Sequence, residues 1–69
     1  MIKEKHILIE QMLFGDYKVN VWDENLNMLL DKEYFCREIT SAILTANLIK
    51  LDMFPDLPIK THPPNLLNS

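Results

Sequence analysis

Apolar and polar side chains alternate along Tyr17-Lys18-Val19-Asn20-Val21-Trp22, and this period of two, with two valines, predicts a β-strand. Just upstream, Gly15-Asp16 fits the centre of a two-residue hairpin turn, because glycine accepts positive φ. That turn sets Phe14 opposite Tyr17, Met12 opposite Val19 and Glu10 opposite Val21. Leu8, Met12, Phe14, Tyr17, Val19 and Val21 then form one apolar face, interrupted by Glu10. Ile7, Ile9, Leu13 and Trp22 fall on the other face, among Gln11, Lys18 and Asn20. Residues 2–14 also suit a helix closed by Gly15, with Ile2, Leu8, Ile9, Met12 and Leu13 in one arc. Asp23-Glu24-Asn25 reads as a turn, and Leu26 to Leu30 as a third strand.

From about residue 33 to residue 52 the spacing changes to that of a helix, with Asp31 as its expected N-cap and Pro55 beyond its end. At about 100° per residue, Ile39, Ala42, Ile43, Ala46 and Ile49 lie within roughly 80° of Phe35. Leu44, Leu48 and Leu51 gather on the far side, at about 160–220°. One apolar stripe suffices to pack a helix on one core. The second stripe therefore predicts a further partner: the C-terminal segment, a second copy of the chain, or another protein.

The pattern as a whole predicts a small α+β domain over residues 1–54. A three-stranded antiparallel meander is packed by one long helix (βββα), with αββα as the alternative. Residues 55–69 follow as an extended tail holding all four prolines. Leu57, Ile59, Leu66 and Leu67 make this tail too apolar for ordinary disorder, so it is expected to lie against the domain or reach a neighbour. At the level of fold alone, the arrangement resembles tiny βββα domains of phage- and plasmid-encoded proteins that bind and neutralise a host protein.

Length sharpens the expectation of a partner. A core drawn from 69 residues rarely supplies more than about 3–5 kcal/mol net. A lone cysteine, Cys36, excludes an intrachain disulfide, and His6 and His62 are too far apart in sequence to form a zinc set with it. Oligomerisation is the support left by elimination, and 48% hydrophobic residues provide the material. The net charge of −3, with scattered Lys and Arg, disfavours direct nucleic-acid binding. No run of residues is long and apolar enough to span a membrane, no signal peptide is evident, and a reduced, cytoplasmic setting is expected.

Candidate chemistry is sparse. Cys36, expected at the start of the helix, has only Arg37 as a cationic neighbour, and a structural thiol is expected. Asp23 and Glu24 read as a solvated turn, not as paired catalytic carboxylates. Gln11-Met12-Leu13-Phe14 is similar to short clamp-binding peptides ending in Leu-Phe but is one residue short, and no function is assigned to it. No nucleotide-binding or nucleophile motif occurs, so neither an enzyme nor a cofactor is expected. The expected function is an interaction module, a homodimer that binds and inhibits or regulates a host macromolecule. Leu44, Leu48, Leu51, Trp22, Tyr34, Phe54, Leu57 and Ile59 are its candidate interface residues. The alternative is a protein that sequesters a small molecule or nucleotide at the dimer seam.

Overall fold

The computed structural model describes residues 4–23, 25, 27–30 and 32–68. Strands β1 (His6–Gln11), β2 (Tyr17–Trp22) and β3 (Tyr34–Cys36) lead into helix α1 (Ile39–Asp52). Strand β4 (Ile59–His62) and a 3₁₀ turn (Leu66–Asn68) complete the chain. The sheet order is β3-β2-β1-β4, antiparallel except for the parallel β1–β4 pair. The α+β class stands, but the three-stranded meander and the αββα alternative do not. The sheet has four strands and is mixed, and the segment around residues 6–11 is a strand.

Ile7, Ile9, Val19 and Val21 point from the two central strands toward α1, which meets them with Ala42, Ala46 and Ile49. The two alanines, one turn apart, let the helix approach the sheet closely, and the β-branched side chains fill the space between. Tyr17, Tyr34, Cys36, Ile39, Ile43, Phe54, Leu57, Ile59 and Leu66 surround this centre. The inward stripe of the helix therefore runs as its spacing predicts, apart from Phe35, which lies in β3 and is 65% exposed.

The hairpin register differs from the expected one. Gln11 pairs with Tyr17, Ile9 with Val19 and Ile7 with Val21, leaving residues 12–16 as the loop. This shift by an odd number of positions exchanges the faces of β1. Ile7 and Ile9 become core, while Leu13 and Phe14 sit at the tip, 96% and 94% exposed. Gly15 still takes the positive φ, 89°, but within a longer loop closed by Met12 N–H donating to the Asp16 carbonyl at 2.7 Å. The observed register buries two β-branched isoleucines against α1, where the expected one would have turned Glu10 to that face beside Met12 and Phe14.

The third strand is displaced as well. Met28 bridges Trp22, and Leu29 N–H donates to the Val21 carbonyl, so the chain does return beside β2 where expected. Continued in that register, residue 31 and Glu33 would face Val19 and Tyr17, driving two carboxylates into the core. Instead the pairing breaks and resumes three residues later, placing Tyr34 opposite Val19 and Cys36 opposite Tyr17. This strand takes the residues expected to open the helix, which begins at Ile39 after an extended Glu38 that makes no side-chain cap. The expected N-cap, Asp31, lies outside the described residues.

Helix α1 ends before Pro55, as predicted. Lys50 in its last turn donates to the carbonyls of Pro55 (3.1 Å) and Leu57, tying the chain reversal to the negative end of the helix. Beyond it the tail is not simply extended: Ile59 to His62 form β4 beside β1, and Leu57, Ile59 and Leu66 pack on the core.

Candidate interaction surface

With the tail in the sheet, nothing in the described chain covers the outer side of α1. Leu44, Leu48 and Leu51 stand 61%, 57% and 77% exposed along its crest. Of the three covers considered for this stripe, the C-terminal segment does not serve through Leu57, Ile59 and Leu66, which pack on the core instead. The reason is that residues 59–62 find a better site along the edge of β1, where backbone groups and the core can both be satisfied. Below Leu48 a groove of about 490 Å³ runs between the helix and β3, lined by Tyr34, Thr45, Leu48, Ile49, Asp52 and Met53.

The remaining candidate residues fall elsewhere. Phe54, Leu57 and Ile59 are half-buried against the core. Tyr34 is half-buried on the helix side of β3, with Lys32 Nζ 5.3 Å from its ring centroid, within range of a cation–π contact. Trp22 has the opposite strand parity and lies on the face of the sheet away from α1. Tyr34 and Trp22 thus do not line one pocket within the chain. Two exposed features escaped the sequence analysis: the Leu13-Phe14 tip and Phe35. The signal for the tip was present, since two bulky apolar residues directly precede the only glycine.

The sheet face away from α1 carries a polar cluster. Lys18 Nζ lies 3.1 Å from Glu33 Oε2 and 3.5 Å from Glu10 Oε1, and Asn20 Nδ2 donates to the same Glu33 oxygen at 3.0 Å. The hydrogen bond to Glu33 raises the Lys18 pKa, against the opposing effect of partial burial. Asn20 is 1% exposed; its Oδ1 and the Trp22 Nε1 have no hydrogen-bond partner among the described residues. At the adjacent turn, the Asp23 carboxylate accepts the N–H groups of Asn25 (2.8 Å) and Asn27 (2.9 Å). Those bonds hold its pKa below the ordinary aspartate value. Asp23 therefore organises a loop, while Glu24 lies outside the described residues.

Cys36, expected as a structural thiol at the start of the helix, sits instead in β3 and is half-buried. Its Sγ is 3.6 Å from Thr45 Oγ1, which itself donates to the Ser41 carbonyl. His6 Nδ1 lies 3.0 Å from the Glu4 carbonyl oxygen, and His62 is exposed at the end of β4. Among the described residues no three His, Cys, Asp or Glu side chains come together as a metal site. No described helix is long and apolar enough to cross a membrane. No protein-family model, curated protein or solved structure matches this chain. Its surface is therefore read from its own chemistry.

Proposed function

We propose that this chain is a protein-interaction module that self-associates as a homodimer and, in that form, binds and regulates or inhibits a macromolecule. The observation that carries the reading is the row Leu44, Leu48 and Leu51, left exposed although the chain contains an apolar tail able to reach other surfaces. Contiguous apolar surface of this kind is characteristic of contact sites. The small core adds a reason for it, because burying apolar surface against a partner supplies stability that a core of this size rarely has in excess. A four-stranded mixed sheet gives no support to the analogy with βββα domains.

Light scattering at tens to hundreds of micromolar is expected to show twice the mass of the chain. Leu44→Asp with Leu48→Asp is expected to yield a folded monomer. A strictly monomeric wild-type chain across that range overturns the proposal. A second reading, sequestration of a small molecule, draws on the groove beside Tyr34, whose volume suits a metabolite-sized ligand. Nucleotide or metabolite released when the purified protein is denatured would support it, and a featureless extract would count against it.

A further inference from the structure

We draw no further inference here: the strongest candidate, the groove between α1 and β3 lined by Tyr34, Leu48 and Met53, is an unpartnered apolar face, and nothing in the structure shows what covers it.

Discussion

At the residue scale, polar side chains here act mainly on local structure. Asn20 occupies an outward-facing position of β2, yet it is enclosed, because Leu8 lies beside it in the register and Met28 and Glu33 reach over it. Its amide holds Glu33, and Glu33 holds Lys18, so one buried amide anchors a surface ion cluster. Asp23 plays a similar part for the loop after β2. Its folded-state pKa is depressed, so its contribution to stability is present above the ordinary aspartate pKa and is lost as pH falls through the folded value. Lys18 has the opposite sign: its raised pKa contributes below the usual lysine range and is lost only as the solution becomes strongly alkaline. Asp23→Asn keeps an acceptor for the loop amides but removes the titration. Urea midpoints measured against pH are expected to fall more steeply below about pH 4 for wild type than for this variant. Parallel curves would remove Asp23 from the acid response.

At the scale of elements, the hairpin and the interrupted third strand obey one rule. Each register is the one that puts branched or aromatic side chains inside and carboxylates outside, even where a shorter turn or an unbroken strand was available. The loop over residues 12–16 depends on Gly15, whose φ of 89° disfavours any residue with a Cβ. No heavy atom outside its immediate neighbours lies within 4 Å of a Cβ built there. A Cβ meets no clash there, so the cost expected for Gly15→Val is that of the backbone conformation, about 1–2 kcal/mol. Chemical denaturation should show that loss, with Gly15→Asn much closer to wild type. Equal stability for glycine and valine would contradict the assigned conformation.

On the scale of the whole molecule, the proline-rich segment is part of the fold. It runs from the end of α1 past the helix terminus to the far edge of the sheet, where Ile59 and Thr61 pair with the core positions Ile7 and Ile9. Removing residues 56–69 would strip β1 of one neighbour and expose core side chains on that flank. The truncated chain is expected to lose its cooperative thermal transition by circular dichroism. A sharp transition at the wild-type temperature would show that residues 1–55 fold without β4. This placement also leaves the crest of α1 bare, so the architecture itself produces the surface on which the proposed association depends.

Periodicity alone was enough for strand β2, for the inward stripe of α1 and its end before Pro55, and for a second apolar stripe on that helix. Each follows from local spacing or from one residue's backbone limits. The register of β1 and the break between Leu29 and Tyr34 were not legible, nor was the destination of residues 59–62. Each of these was settled by a competition among distant segments for the same core positions and the same backbone hydrogen bonds. Ile7 and Ile9 outcompeted Met12 and Phe14 for the face beneath α1. Tyr34 and Cys36 outcompeted two carboxylates beside β2. Once β1 offered its free edge to the tail, Leu44, Leu48 and Leu51 were left facing water.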